Sequence, residues 1–351
     1  MEKYYTRACN FYFEKTSKEK IKKKLSFPLG GNTSISFDCI EIISRTSKKI
    51  INIKNINKLP LKIKKKVLID IKSICKKKKI PGLKLKDFPI LMGILNLTPD
   101  SFSDGGKFNK IIFAKRQINK LAKQGASIID VGGESTRPGS KEVMQYKEWN
   151  RIKNSMKYLK KKDLFVSLDS RKSFVMKKAL NYKLNLINDV SGFTHDKDTV
   201  NFLKKNKLPF VLHHMRGNPK TMQINPNYKN VLLDIYDYFE DKLKQIRNKG
   251  IKHNKIILDP GIGFGKNLKH NITLINNISI FHSLGLPIML GLSRKRFIKD
   301  ISGLNDSEQR IGGTVSSCIY SMLQGVQILR VHDVNEINQG IKIFKKLNYI
   351  K

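Results

Sequence analysis

Short apolar runs alternate with longer amphipathic stretches from Pro89 to the end of the chain. The short runs have the continuous apolar character of parallel strands that helices cover on both faces. Eight such runs occupy residues 90–97, 127–131, 164–168, 186–190, 210–212, 255–258, 287–290 and 326–331. Patterns typical of helices occupy residues 110–123, 141–161, 173–180, 199–205, 231–249, 271–284, 308–323 and 335–347.

Eight β–α units in this order predict an α/β fold, a (β/α)8 TIM barrel, which typically needs about 250 residues. A doubly wound sheet is the competing fold. The near-equal repeats favour the barrel, as does the lack of a GxGxxG motif at the start of the first helix.

Residues 1–86 show a different pattern of apolar and polar residues. They contain strand-like stretches at 34–43 and 49–53 and a helical pattern at 62–77, and a turn signal follows at Ile80-Pro81-Gly82. No motif in this segment carries chemistry. We therefore predict a small lysine-rich N-terminal extension over 1–86, whose expected role is to cover the bottom of the barrel, and a barrel over 87–351.

Composition narrows the class of protein. Hydrophobic residues make up 40% of the chain, enough for a core, so a disordered polycation is excluded despite a net charge of +41. Residues 1–86 hold 24 basic and 6 acidic side chains, and the rest holds 45 and 22. Most are lysines without interleaved aromatic residues, which favours a solvated surface over specific nucleic-acid binding. A basic RNA-binding protein stays open as an alternative.

Location is indicated by what the sequence lacks. The four cysteines form no CxxC pair, and no apolar signal region or long apolar span occurs. We expect reduced thiols in a cytoplasmic protein with no membrane contact. We also expect His195, His253, His270 and His282 to be solvated.

Polar residues stand at the end of all eight predicted strands, where barrels of this kind place their chemistry. They are Asn96, Asp130, Asp169, Asn188, His213, Asp259, Ser293 with Lys295, and Arg330 with His332. A single strand-end residue often caps the next helix, but eight converging ends are not explained by capping. Since adjacent strand residues face opposite sides, at most one of His213 and His214 faces the lumen.

The residue types suggest a ligand. Asp169, Asn188 and Asp259 suit the donor edge of a flat heterocycle, and Lys295 suits its carbonyl. Met215 and Phe264 can pack on its faces. For phosphate oxygens, Arg137, Arg330 and His332 offer donors, and Asn96 is an oxygen ligand for Mg2+ held jointly with phosphate. The sequence therefore predicts a polar heterocycle carrying a pyrophosphate.

Six segments resemble the signatures of dihydropteroate synthases. They are residues 92–106 (MGILNLTPDSFSDGG), 125–139 (GASIIDVGGESTRPG), 214–223 (HMRGNPKTMQ), 258–267 (LDPGIGFGKN), 293–295 (SRK) and 330–334 (RVHDV). The likeness covers residues 89–347 in order, and motifs of this length are specific. The stretch 27–31 is similar to extensions on alphaproteobacterial members.

The resemblance implies an activity. Such enzymes condense 6-hydroxymethyl-7,8-dihydropterin diphosphate with p-aminobenzoate, giving 7,8-dihydropteroate and pyrophosphate in folate biosynthesis. Mg2+ is held by the residue matching Asn96. The resemblance also implies sulfonamide competition at the p-aminobenzoate pocket and a homodimer.

The resemblance also implies residue roles. Asp169, Asn188, Asp259 and Lys295 match pterin-binding residues, and Arg330 and His332 match diphosphate-binding ones. Ser293 and Phe264 match the p-aminobenzoate pocket, and Thr136 and Arg137 lie on a loop close to substrate. We expect further substrate contacts from Met215 and Val331. The expected catalytic residues are Asp169, Asp259, Lys295, Arg330 and His332.

Two other functions stay open at this point. A pterin-binding methyltransferase shares the barrel and parts of the pocket, although it needs neither a loop like 135–139 nor the signature at 98–106. An inactive paralogue should have lost residues at the strand ends, and none of those matched is missing.

Overall fold

The computed structural model describes residues 2–83, 89–98, 107–137, 139–219 and 221–349. Its N-terminal part is an antiparallel sheet flanked by two helices. The elements are β1 Tyr5–Phe13, α1 Glu14–Lys22, β2 Phe27–Leu29, β3 Asn32–Ile43, β4 Lys48–Asn52 and α2 Leu61–Cys75. The central strand β3 pairs with β1, β2 and β4. Of these elements, β1, α1 and β2 were not predicted from the sequence.

The rest of the chain forms the predicted barrel. Its strands are β5 Ile90–Asn96, β6 Ala126–Gly132, β7 Phe165–Asp169, β8 Leu186–Asp189, β9 Phe210–His213, β10 Ile256–Asp259, β11 Met289–Gly291 and β12 Ile328–Val331. All neighbouring pairs are parallel in the order β10-β9-β8-β7-β6-β5-β12-β11. A parallel bridge between Leu258 and Ile288 closes the ring between β10 and β11. The barrel fold is thus confirmed.

Helices surround the strands. They are α3 Lys107–Lys123, α4 Gln145–Leu159, α5 Ser173–Ala179, α6 Thr199–Asn206, α7 Val231–Asn248, α8 Leu268–Asn276, α9 Arg296–Ser302, α10 Ile311–Leu323 and α11 Val334–Tyr349. The short helix α9 was not predicted. The single helix predicted at 271–284 is instead α8 followed by a 3-10 helix, Ile278–Leu284. His282 in that 3-10 helix is fully buried, with Nε2 2.9 Å from the Gln324 carbonyl oxygen, so its predicted solvation was wrong.

The lumen has an apolar floor and a polar upper layer. The floor is one buried cluster of lumen-facing side chains: Ile90, Met92, Ile128, Phe165, Leu186, Val211, Ile257, Met289 and Ile328. Because every second residue of a strand faces the same side, the next lumen-facing positions lie two residues further along. On β6, β8, β10 and β12 those positions are Asp130, Asn188, Asp259 and Arg330. The polar layer therefore rests on a packed apolar base.

The N-terminal sheet packs against the bottom and one side of the barrel. At the bottom, Leu29 of β2 lies against Gly325, and Ile80, in the segment that follows α2, joins the cluster that forms the lumen floor. On the side, the ring of Tyr5 meets the ring of Tyr236 edge to face at 5.1 Å, and its hydroxyl donates to Asp237 at 2.8 Å. Ser279 Oγ donates to the carbonyl of Ala8 at 2.9 Å. In the part of the chain that the structure describes, no helix is long and apolar enough to span a membrane.

Candidate active site

A charged hydrogen-bonded group lies at the centre of the polar layer. Arg330 on β12 donates from Nε to Asp130 Oδ2 at 2.6 Å and from Nη2 to Asp169 Oδ2 at 2.7 Å. Asn188 Nδ2 donates to the same Asp130 oxygen at 3.0 Å. The guanidinium thus joins strands that are distant in the chain. Asp130, which the sequence placed at a strand end without a role, orients both Arg330 and Asn188.

Burial changes the proton affinity of these carboxylates. Loss of solvent raises the pKa of Asp169, and the neighbouring Arg330 charge opposes that rise. Burial likewise raises the pKa of Asp259, against the charge of Lys295. Among the described residues, Asp130 Oδ1 and Asn188 Oδ1 are buried acceptors without a hydrogen-bond donor. Buried acceptors of this kind are normally paired, so the lumen offers two positions to a ligand that carries N–H groups.

A second group lies at the carboxyl end of β10. Asp259 Oδ1 accepts from the Gly261 amide at 2.8 Å. Lys295 donates to the Ile262 carbonyl, and its Nζ lies 4.6 Å from the centre of the Phe264 ring. Burial lowers the pKa of Lys295 to about 8, while Asp259 acts to raise it. Gly263 has a φ of +81°, and a Cβ there would lie 3.1 Å from Lys295 Cδ, so glycine leaves room for the lysine.

Lys266 fixes the loop that follows β10, a role that sequence reasoning missed. Its buried Nζ donates to the carbonyls of Gly261 at 2.9 Å and Phe264 at 2.8 Å, and lies 3.1 Å from His214 Nδ1. Burial lowers the pKa of Lys266 well below its ordinary value. His214 therefore belongs to the loop support, whereas the ring of His213 meets the ring of Phe264 edge to face at 4.7 Å.

Ser293 and His332 meet at the rim of the barrel. Ser293 Oγ lies 3.1 Å from His332 Nδ1 and also accepts from the His332 backbone amide at 3.2 Å. Burial, with the charges of Arg330 and Arg294, lowers the pKa of His332 to about 3, so its imidazole is neutral. Val331, between Arg330 and His332, packs in the outer apolar core with Val334. Its side chain therefore points away from the lumen, which leaves only its backbone for substrate contact.

The remaining predicted residues lie on loops above the lumen or at its edge. Thr136 and the exposed Arg137 follow β6, and the partly buried Met215 follows β9. These two loops touch where the Gly139 amide donates to the Pro219 carbonyl at 2.9 Å. The predicted signature residues 99–106 lie outside the described residues.

Asn96 ends β5 at the same level as Gly132 on β6, which in turn is level with Asp169 on β7. A Cβ built on Gly132 would lie 3.6 Å from both Asn96 Oδ1 and Asp169 Oδ2. Asn96 thus presents its amide oxygen to the lumen beside a carboxylate.

Residues 92–332 match the family described as "Pterin binding enzyme". The chain belongs to this family of pterin-binding enzymes. The matched range starts in β5 and ends at His332, so it holds every predicted site residue.

Relatives place the chain within the family. The dihydropteroate synthase of Escherichia coli strain K12 is 39% identical over 256 residues, covering 73% of this chain and 90% of the relative. That of Clostridium beijerinckii is 42% identical over 255 residues, covering 72% and 92%.

Solved structures of dihydropteroate synthases are also similar to this chain. A Yersinia pestis dihydropteroate synthase with a sulfonamide drug complex has a TM-score of 0.70 and 38% identity, covering 75% of this chain and 95% of that one. The Xanthomonas albilineans enzyme with 4-aminobenzoic acid has a TM-score of 0.71 and 33% identity, covering 76% and 94%. This pterin-binding enzyme is thus a transferase of the dihydropteroate synthase type, which acts in folate biosynthesis. The methyltransferase and RNA-binding alternatives gain no support from these relatives.

Proposed function

We propose that the lumen binds 6-hydroxymethyl-7,8-dihydropterin diphosphate and condenses it with p-aminobenzoate, forming 7,8-dihydropteroate and pyrophosphate. The observation that carries the proposal is the polar layer: the buried Asp169, Asn188 and Asp259 and the partly buried Lys295 converge above an apolar floor. Structures of relatives with 4-aminobenzoic acid and with 7,8-dihydropteroate support the same substrate and product.

The pterin ring fits the acceptors of this layer. Its amino and ring N–H groups can donate to the carboxylates of Asp169 and Asp259, and paired bonds of this kind are strong. Asn188 Oδ1, which accepts no hydrogen bond from the described residues, offers a third acceptor. Lys295, whose charge acts on Asp259, can donate to the pterin carbonyl. Met215 and Phe264 supply apolar contacts at the ring edge and face.

The diphosphate belongs between the centre of the polar layer, where Arg330 lies, and the rim, where the neutral imidazole of His332 lies. Asp130 and Asp169 hold the Arg330 guanidinium through Nε and Nη2, which fixes its position before substrate arrives. Preorganised donors stabilise developing charge without reorganisation at the moment of reaction. Arg330 and His332 are therefore suited to stabilising the leaving pyrophosphate.

Mg2+ fits this site only together with the diphosphate. The described residues contain no group of three or more His, Cys, Asp or Glu that could hold a metal ion alone. Mg2+ commonly uses one or two protein oxygens plus substrate phosphates, and Asn96 Oδ1 beside Asp169 supplies such a donor. When bound, the ion neutralises charge on the diphosphate.

We assign the p-aminobenzoate pocket to Ser293, Phe264, Thr136 and Arg137. Sulfonamides, which resemble p-aminobenzoate, are expected to compete there, and the Yersinia pestis relative was solved with such a drug complex. The loops after β6 and β9, joined at Gly139 and Pro219, lie above this pocket and exclude water from the reaction.

The residues support a mechanism without a covalent enzyme intermediate. Departure of pyrophosphate leaves positive charge on the pterin methylene, and the carboxylates of Asp169 and Asp259 stabilise that charge. The weakly basic arylamine then attacks the methylene carbon, and its proton leaves to solvent.

A product assay tests the proposal. Purified protein incubated with dihydropterin diphosphate, p-aminobenzoate and Mg2+ is expected to form dihydropteroate and pyrophosphate in equal amounts, and chelation of Mg2+ is expected to lower the rate. Chromatography with mass detection follows both products. Absence of dihydropteroate from folded protein would refute the proposal.

We also propose a homodimer in the cytoplasm. The outer faces of α10 and α11 expose apolar residues: Tyr320 is 45% exposed, Ile343 58% and Leu347 64%.

The four cysteines are free thiols, which supports the cytoplasm, a reducing compartment, as the location. Cell fractionation would check this location.

A further inference from the structure

Four buried charged side chains form a cluster at the base of the loop after β6. They are Glu134, Glu148, Arg171 and Lys172, with exposed fractions of 5%, 0%, 6% and 6%. Two carboxylates face two cations, so the cluster is neutral overall. Burying charges is costly unless they are paired, and such clusters are retained in some proteins because they fix one arrangement. This one lies between the end of β7 and the loop that carries Thr136 and Arg137.

Glu134 joins the two ends of that loop. Its Oε1 accepts from the Val143 backbone amide at 2.7 Å and from Lys172 Nζ at 2.9 Å. Its Oε2 accepts from Arg171 Nη2 at 2.8 Å. Burial raises the pKa of Glu134, but the bonds from Val143, Arg171 and Lys172 outweigh it and hold that pKa below its ordinary value. We call these three contacts the Glu134 clasp.

The clasp also ties the loop to the pterin-binding strand. Arg171 and Lys172 follow Asp169 by two and three residues, and Arg137 follows Glu134 by three. One buried carboxylate therefore couples the segment that bears Arg137 to the strand end that bears Asp169.

Glu148 belongs to the same cluster but does not hold the loop. Its carboxylate accepts from Lys172 Nζ at 2.7 Å and from Ser170 Oγ at 2.6 Å. It lies on α4 and holds Lys172 in place through this hydrogen bond. Glu148 thus offers a comparison residue of equal charge and even deeper burial.

We propose that Glu134 is a positioning residue that preforms the loop for p-aminobenzoate. This inference rests on the proposed pocket role of Thr136 and Arg137. Ordering a loop costs conformational entropy. When the loop is already held closed at its base, less of the ligand's binding free energy is needed to order it. The clasp should therefore act on p-aminobenzoate binding and leave binding of the pterin diphosphate nearly unchanged.

Two matched double variants test the clasp: Glu134→Ala with Lys172→Met, and Glu148→Ala with Lys172→Met. Both remove one buried cation and one buried carboxylate, so both keep the cluster neutral. Only the first removes the acceptor of the Val143 amide and the partner of Arg171. We expect the first to raise KM for p-aminobenzoate about tenfold, and the second to change it by less than about threefold.

Two further readouts distinguish positioning from general destabilisation. KM for the dihydropterin diphosphate is expected to change by less than about threefold in both variants. Hydrogen exchange at the Val143 amide is expected to accelerate only in the first. Equal shifts of KM in the two variants, or an unchanged KM in a folded Glu134→Ala/Lys172→Met protein, would overturn the proposal.

If the first double variant does not fold, Glu134→Asp supplies the same comparison, because it keeps the charge but shortens the reach to Val143. A raised KM for p-aminobenzoate supports the clasp, and an unchanged one overturns it. The wild-type protein is assayed in every arm, since failure of the wild type to form dihydropteroate would refute the proposed function, whereas the clasp is judged on the KM values alone.

Discussion

At the scale of single residues, burial controls the charge that the site presents to substrate. Lys295 is surrounded by Asp259, the Ile262 carbonyl and the Phe264 ring, and loss of solvent weakens its hold on its proton. The protonated ammonium is the form that donates to a pterin carbonyl. The ordinary pKa of a lysine lies near 10.4, so this one titrates much closer to neutrality.

We therefore predict that kcat/KM for the dihydropterin diphosphate falls as pH rises through about 8, the pKa of Lys295. The lowered pKa means that the proton is lost on the alkaline side, so the rate declines with rising pH and is retained below it. Lys295→Arg stays charged and should lose this decline, although its overall rate is lower. A wild-type profile that is flat up to about pH 9, well above that pKa, would be inconsistent with this role.

How far the site could be predicted depends on where each residue's partners lie. The lumen positions of Asp169, Asn188, Asp259 and Arg330 could be predicted because a strand-end position fixes both level and direction, whereas Lys295 lies in the turn between β11 and α9. Asp130 stood at such a position too, but its role depends on contact with Arg330, 200 residues away in the chain. The role of Lys266 depends on loop carbonyls that no sequence pattern marks.

At the scale of elements, the barrel strands and helices were predictable because their apolar periods are regular. The N-terminal sheet was only partly predictable: β1 mixes polar and aromatic residues, since it pairs with β3 in the sheet and also meets the barrel. The split of the predicted helix 271–284 also comes from tertiary packing, because the 3-10 helix that follows α8 lies against β1.

The interface between the N-terminal extension and the barrel is tightly packed at Gly325. Its φ is +80°, and a Cβ there would lie 2.1 Å from Leu29 Cδ2 of β2. We predict that Gly325→Ala lowers the free energy of unfolding by the cost of a left-handed alanine, about 1–2 kcal/mol, plus about 1–3 kcal/mol for overpacking. Thermal denaturation followed by circular dichroism measures the difference.

Gly303→Ala is the matched control for this prediction. Gly303 has a φ of +75°, and no atom of the described part of the chain lies within 4 Å of a built Cβ, so the variant carries the backbone cost alone. Equal destabilisation by the two variants would show that the interface at Leu29 has room for the added methyl group.

At the scale of the whole molecule, the charge of +41 does not define the function. Of the basic side chains, Arg137, Lys295 and Arg330 belong to the proposed site. Arg171, Lys172 and Lys266 instead donate hydrogen bonds to other groups of the protein. The apolar residues left exposed are more informative. Ile343 and Leu347 on α11 lie one turn apart on the same face, and Tyr320 lies on the adjoining α10.

We predict a homodimer across this face. Light scattering should give twice the chain mass of 40.3 kDa for the wild type, and Ile343→Lys should reduce the mass toward one chain. Ile50→Lys is the control, because Ile50 on β4 is equally exposed, at 59% against 58% for Ile343. Equal behaviour of the two variants would place the interface elsewhere.

The central claim is that the polar layer of the lumen carries out the dihydropteroate synthase reaction, and turnover by Asp169→Asn tests it most directly. The variant keeps the size of the side chain but removes the charge that Arg330 and a cationic pterin require. We predict that kcat falls by about a hundredfold or more, while Asp163→Asn, at an exposed surface position, keeps the wild-type rate. Normal dihydropteroate formation by Asp169→Asn would contradict the assignment of this site.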